Sequence, residues 1–356
     1  MNVPPLPAVD PELLAAHDVA HRTLGSRFDA AGPQVRLLFT HLQRRLTHEG
    51  LAYVQSVSPE VETQLLLSPP RASLTHSQQD RIRGAVAAFR HIDTRVTLER
   101  NGQTPCALHR TSPTSLHALL EGPNPGRQET NPGMYRASPT FWQFDADPFH
   151  PPHHSEVEAL VTEALEVVDD RSRHPAVRAG WLTYTMLSIH PFVDGNGRTC
   201  RSLYLLVASP ALPLVLDWGI MEQWSLSRST YIEMLRAGNK IPRYDPMRMT
   251  AEPFATYSTV ASIRGAEVCI QRIDELGRRY EARRALGLSA EAATIAGVIE
   301  YQRSCTWDEL LTTGLPIESI DDAVAELLDR GAVRWAPRPA SRRTILDAAT
   351  SALVLA

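Results

Sequence analysis

The chain has 356 residues, of which 43% are hydrophobic and 21% charged, a composition that provides for buried cores and argues against disorder. A formal net charge of -4 excludes the global basic field that draws nucleic acid. There is no apolar run of about 18 residues and no basic-then-apolar leader, so the expectation is a cytoplasmic protein without a membrane partner.

Helices dominate the first third. Val35, Leu38, Phe39, Leu42 and Leu46 recur at helical spacing, and "THEG" reads as the stop of that helix. A break at "SPPRASLTHSQQD" precedes a helix through "RIRGAVAAFRHI". One short helix, "SLHALLEG", stands among the turns near 100–126, and "LERNG" and "EGPNPG" read as plain turns. From 131 to 152 short aromatic runs alternate with turn residues, which predicts a β-hairpin or extended flap. "HPPHH" inside it reads as a turn, because its prolines forbid the helical spacing of metal ligands. "EVEALVTEALEVVDD" and "HPAVRAGWLTYTMLSIH" are strong helices, the second apolar around most of its circumference and therefore central to a domain. "RSTYIEMLRAG" and a long helix from Glu252 to about Arg284 follow. From Leu286 the order is helix, "TWDELLTTG", helix "IESIDDAVAELLDRG" and "AVRWAPRPASRRTIL", the order of a winged helix. The fold class expected is mainly α with a β-hairpin flap. Three regions are expected: helices at 1–100, a core at 101–285 and a winged-helix-like domain at 286–356. The four cysteines, Cys106, Cys200, Cys269 and Cys305, have neither metal nor disulfide spacing and read as free thiols.

Chemistry concentrates in "HPFVDGNGRTCR", His190 to Arg201. A helix ending at His190 leads into a tight Asp194-Gly195-Asn196-Gly197 loop, and a second helix starts near Arg198. The start of that helix offers unpaired N–H groups and a positive dipole end, and glycines allow close approach: a phosphate cradle. Arg198 and Arg201 share a helix face and can both reach an anion. Asp194 beside phosphates calls for a bridging Mg2+. His190 is a general-base candidate. Together these residues read as a Mg-nucleotide site built for attack of a hydroxyl on phosphorus.

The same residues resemble the signature of Fic-domain proteins. "GMYR", "FHPPHHSEVEALV", "HPAVRAGWLTYTMLSIHPF" and "RSTYIEMLRAGN" extend the resemblance over roughly 105–265, in the order of a Fic core. The resemblance implies a protein adenylyltransferase that moves AMP from ATP to a Ser, Thr or Tyr hydroxyl of a target protein. It implies His190 as the base and Asp194 as the Mg2+ ligand. Gly195, Asn196 and Gly197 would form the α-phosphate anion hole, Asn196 donating also from its side chain. Arg198 would hold the β-phosphate and Arg201 the γ-phosphate, while Tyr231 and Asn239 match adenine-contacting positions. The hairpin would be the flap that pairs with an extended target segment.

Many Fic proteins carry an inhibitory helix whose glutamate occupies the second motif arginine. "SPEVET" offers Ser58 and Glu62 for it, with Thr63 where Gly or Asn is usual. Self-modification is compatible with the many surface hydroxyls, and the oligomeric state, including a homo-oligomer, is left open. DNA is not favoured as a partner, because "IESIDDAVAELLDRG" carries Glu318, Asp321, Asp322, Glu326 and Asp329 against Arg330. The alternative readings are a regulator that binds nucleotide without turnover and acts through the winged helix, or a Fic enzyme that uses another nucleotide or removes AMP.

Overall fold

A computed structural model describes residues 2–53, 76–104, 108–122, 131–143, 148–212, 218–302, 305, 307–311, 313–337 and 351–355. The inhibitory candidates Ser58 and Glu62, and Cys106, lie outside the described residues. The chain divides into two compact units, one made of 1–22, 46–56 and 75–267 and one of 23–45, 57–74 and 268–356.

The architecture is helical. α1 spans Pro11–Ala30, α2 Pro33–Tyr53, α3 His76–Arg100 and α4 Ser112–Glu121. A two-residue antiparallel pair, β1 (Trp142–Gln143) with β2 (Pro148–Phe149), sets Trp142 opposite Phe149. α5 (Val157–Val168) and α6 (Pro175–Ile189) follow, then α7 (Asn196–Ala208), α8 (Ile220–Leu226), α9 (Arg228–Gly238) and α10 (Glu252–Ala285). α11 (Ala290–Gln302), α12 (Trp307–Leu311) and α13 (Ile317–Asp329) precede β3 (Val333–Pro337) and β4 (Ser351–Leu355). Among the described residues no helix is long and apolar enough to cross a membrane.

The "THEG" stop is a misreading. α2 runs past Gly50 to Tyr53, because Gly50 serves a close approach instead: a Cβ there would stand 2.8 Å from Cβ of Met221. "HPPHH" is irregular backbone from Pro151 to His153, and its last residue opens a short 3-10 segment at His154–Glu156. His153 caps it, and the Glu156 carboxylate accepts the His153 N–H.

α6 is the axis of the first unit. His174 accepts the Ala176 N–H and Pro175 occupies the first turn, so the start of the helix is fixed by its own sequence. Every residue from Ala176 to Ile189 is buried, and the helix packs between α5 and α7. Trp181 donates to the Pro4 carbonyl at 3.0 Å. One consistent set of protons explains the histidines around it. His174 Nδ1 accepts from Ala176, so its Nε2–H donates to Asp18 at 3.0 Å. The same carboxylate lies 3.4 Å from His17 Nδ1, and with a proton there His17 Nε2 accepts the Ser262 hydroxyl at 3.1 Å. Ser262 in turn accepts from His21 Nε2 at 2.9 Å. Burial holds His17 down at about 4 and His21 at about 3, so both rings are neutral at neutral pH. His17, Asp18 and His174 come close enough together for a cation. Their facing nitrogens, however, carry the protons that bind Asp18, and the group is satisfied as a hydrogen-bond network.

In the second unit α13 is amphipathic. It buries Ile320, Ala323, Val324 and Leu327 and turns Glu318, Asp321 and Asp322 outward. β3 and β4 pair antiparallel with Val333 opposite Leu355, and Cys305 adds a bridge to Leu353. Arg330 donates to the Leu286 and Gly287 carbonyls and pairs with Glu326, so the one basic side chain of that stretch is engaged. Arg279 and Arg283 both pair with Glu300.

Candidate functional site

α6 ends at His190, which adopts a left-handed conformation (φ 51°, ψ 61°) and donates its N–H to Met186. A non-glycine residue in that region is uncommon and marks a position held by its surroundings. The holder is Arg136, itself 3% exposed. Its guanidinium donates to the carbonyls of His190 (2.8 Å), Ser138 (3.1 Å), Pro152 (2.5 Å) and Ile189 (3.4 Å), and its backbone N–H donates to Pro191. Burial lowers the His190 imidazole to about 4, against a hydrogen bond with the Leu187 backbone and with help from the Arg136 charge. The ring is therefore neutral at neutral pH, the form a base requires.

The loop after it is clamped from within. The Asn196 side chain accepts the Phe192 N–H at 2.9 Å and donates to the Phe192 carbonyl at 2.8 Å. One amide N–H and the amide oxygen are thus bound to the loop, which fixes the side chain and leaves its second N–H for a ligand. Gly195 caps α7 at φ 78° without any side-chain cap. The first intrahelical bond of α7 runs from Thr199 to Gly195, so the N–H groups of Asn196, Gly197 and Arg198 have no partner within the helix. Asp194, its side chain 46% exposed, accepts the Gly195 N–H at 2.6 Å. A half-exposed carboxylate beside a helix N-terminus fits a divalent cation shared with phosphate oxygens.

α4 supports the loop from behind. His117 stacks on Phe192 with centroids 3.9 Å apart and planes 4° from parallel. Its Nδ1 accepts the Gly133 N–H at 2.9 Å, so Nε2 carries the proton and donates to the Asp194 carbonyl at 3.0 Å. Burial, then the Arg198 charge, holds His117 at about 4. Glu121, fully buried, lies 2.7 Å from Arg198 Nη2. The sequence reading missed both residues and placed Glu121 in a turn. They stand 77 residues from the loop they touch, and only their one-turn spacing on a helix hinted at a common target.

Arg201 is 1% exposed and donates from Nη2 to the Leu51 carbonyl at 2.9 Å. Its Nε and Nη1 make no hydrogen bond among the described residues, and burial depresses the guanidinium to about 10. Tyr231, also buried, faces the same guanidinium from an aromatic cluster with Trp224 and Phe254, and burial raises its hydroxyl. Asn239 ends α9 and accepts the Tyr184 hydroxyl at 2.6 Å and the Ser188 hydroxyl at 3.3 Å. The structure thus gathers His190, Asp194, the Gly195–Gly197 turn and Arg198 around one loop, brings Tyr231 to Arg201, and ties Asn239 to α6.

Two comparisons with solved structures carry the fold. A Fic family protein from Desulfovibrio desulfuricans superposes with a TM-score of 0.52 at 14% identity, covering 99% of this chain and 98% of the other. A Fic domain containing signaling protein from Bacteroides thetaiotaomicron gives 0.53 at 16% identity, over 74% of this chain and 97% of that one. In sequence, the chain is 28% identical over 141 residues to "Protein adenylyltransferase Fic" of Drosophila persimilis, and equally so to that of Drosophila pseudoobscura pseudoobscura. That stretch is 37% of this chain and 26% of those proteins, so the chain matches about a quarter of the length of these curated relatives. Residues 87–208, which hold α4, the loop and both motif arginines, match the Fic/DOC family.

Proposed function

We propose that the protein is an adenylyltransferase that transfers AMP from ATP to a hydroxyl side chain of a target protein. The observation that carries this reading is the open N-terminus of α7, whose first N–H groups have no partner within the helix, behind a left-handed Gly195, with neutral His190 at one side and Asp194 at the other. Such a terminus takes an anion in place of the missing cap. Only the presence of a base distinguishes turnover from mere binding, and His190 supplies one.

In this reading the backbone N–H groups of Asn196, Gly197 and Arg198 receive the non-bridging oxygens of the α-phosphate. His190 takes the proton of a Ser, Thr or Tyr hydroxyl as its oxygen attacks the α-phosphorus, and the bond to the β-phosphate oxygen breaks to release pyrophosphate. Arg198 and Arg201 neutralise the leaving phosphates. Mg2+ at Asp194 would supply charge neutralisation and orient the phosphate oxygens. A polyanion beside His190 raises its affinity for a proton, which moves a base depressed by burial toward its working range. The β1–β2 pair serves as the flap for the target segment, and residues 286–356 serve as a winged-helix-like module. The acidic outward face of α13 favours a protein over DNA as the partner of that module. Glu62 is the proposed brake, a carboxylate for the two unmatched nitrogens of Arg201.

The test is AMP incorporation from α-labelled ATP with Mg2+, with the protein itself and a lysate as acceptors. Strong label in Glu62→Gly, weak label in the wild type and none in His190→Ala, with ATP binding retained in the last, is the expected pattern. Equal label in wild type and Glu62→Gly removes the brake. Turnover unaffected by His190→Ala removes the base, and no label anywhere despite ATP binding removes the transferase.

A further inference from the structure

Arg198, the first arginine after the loop, stands between two carboxylates. Glu121 Oε1 lies 2.7 Å from its Nη2 and Asp194 Oδ1 lies 3.9 Å away. Glu121 is wholly buried and presses on the loop itself, since a Cβ on Gly195 would meet its Oε1 at 2.4 Å. Neither Glu121 oxygen has a hydrogen bond of good geometry among the described residues, so its tie to Arg198 is a Coulombic pairing at short range. The stacked ring of His117 does not alter this, because its Nδ1 accepts the Gly133 N–H and the ring is neutral by its own hydrogen bonds. Arg136 is committed to four backbone carbonyls, and Arg201, the other buried cation that bears on Arg198, is turned to the Leu51 carbonyl and to Tyr231. A phosphate that approaches Arg198 therefore meets a cation that two carboxylates already face.

We propose that Glu121 is a charge-balancing and positioning residue that makes nucleotide binding at this loop conditional on a divalent cation. The proposal rests on the nucleotide reading above and adds a role for a residue outside the motif. A fully ionised triphosphate faces Glu121 and Asp194 at once in a setting where charges are weakly screened. A cation at Asp194 offsets one of them and admits the phosphates. Removing the charge of Glu121 while keeping its shape gives the same relief without any cation. The arrangement would reject free triphosphate in favour of its Mg2+ complex, so that the ligand arrives with the ion its chemistry needs.

The experiment is calorimetric titration of ATP into the full chain, in Mg2+ and in excess EDTA. It compares the wild type, Glu121→Gln, Glu121→Asp, Arg198→Gln and the double variant Glu121→Gln/Arg198→Gln. The quantity read is the ratio of the two dissociation constants, which cancels any general loss of affinity from disturbed packing. The wild type should bind much more tightly with Mg2+. Glu121→Gln should narrow that ratio by about tenfold or more, as one unit charge at short range in a partly buried site implies. Glu121→Asp should keep the wild-type ratio, Arg198→Gln should widen it, and the double variant should restore it. If Glu121→Gln does not fold, the widening in Arg198→Gln carries the test. A ratio unchanged in Glu121→Gln, or in Arg198→Gln, overturns the proposal, as does a wild type indifferent to Mg2+. Absence of ATP binding to the wild type in either condition is a separate outcome, and it brings down the nucleotide reading itself.

Discussion

Acid should unfold the first unit through its histidines. His17, His117 and His190 are held at about 4 and His21 at about 3, all mainly by burial, against 6.5 for an exposed ring. The hydrogen bonds agree for two of them, because His17 Nε2 and His117 Nδ1 are acceptors and a proton on either breaks a buried bond. A folded-state value below the unfolded one means that the unfolded chain binds more protons as pH falls. The stabilisation is whole above about 6.5, declines below it, and is gone beneath about 4, or 3 for His21. Between pH 7 and pH 5 each ring contributes a loss of about 2 kcal/mol, or about 7 kcal/mol for the four, half or more of a typical domain's stability. Urea unfolding at pH 7, 6, 5.5 and 5 tests this, followed by tryptophan fluorescence. Trp181, Trp218 and Trp224 are buried within the same unit as the four histidines. A fall in stability of less than about 2 kcal/mol across that range would mean that these rings are not held neutral, and the proton assignments drawn from them would fall as well.

Two substitutions test the loop and its arginine. Gly195→Ala places a side chain at φ 78° and against the Glu121 carboxylate. It should cost about 2–3 kcal/mol of stability in urea unfolding and abolish ATP binding by calorimetry. Arg201→Met removes a buried guanidinium whose depressed value reflects about 3 kcal/mol of burial cost, and leaves the Leu51 carbonyl without its donor. The net expectation is a gain of about 1–2 kcal/mol in stability together with a large loss of ATP affinity. A destabilised variant with unchanged affinity would show that Arg201 is a packing residue.

The loop was legible in the sequence because its parts are contiguous. His190, Asp194, the two glycines and the two arginines fall within twelve residues, and a tight turn between helices brings such neighbours together whatever the rest of the chain does. The helices were legible for the same reason: α6 and α10 are long, and their apolar spacing is local. What stayed hidden depends on distant segments. Glu121 looked like the edge of a turn, since nothing near it in sequence says that its carboxylate meets Arg198. The histidines of α1 gave no sign that a serine on α10 would be shared between them. Gly50 carried the ordinary mark of a helix end, yet the space it leaves is for Met221. Asn196 shows what a motif leaves unsaid, because residue type suggested a donor to the ligand and only the geometry shows the same amide clamping Phe192.

The contact between Arg201 and Leu51 gives the arginine a second occupation. Leu51 sits in the last described turn of α2, and the guanidinium caps its carbonyl through Nη2 alone. An anion held on Nε and Nη1 would leave that cap in place, so one side chain would serve the site and the helix end together. The relation runs both ways: whatever fixes the end of α2 also fixes the arginine for the anion, and the two would tighten together in the exchange of amide hydrogens.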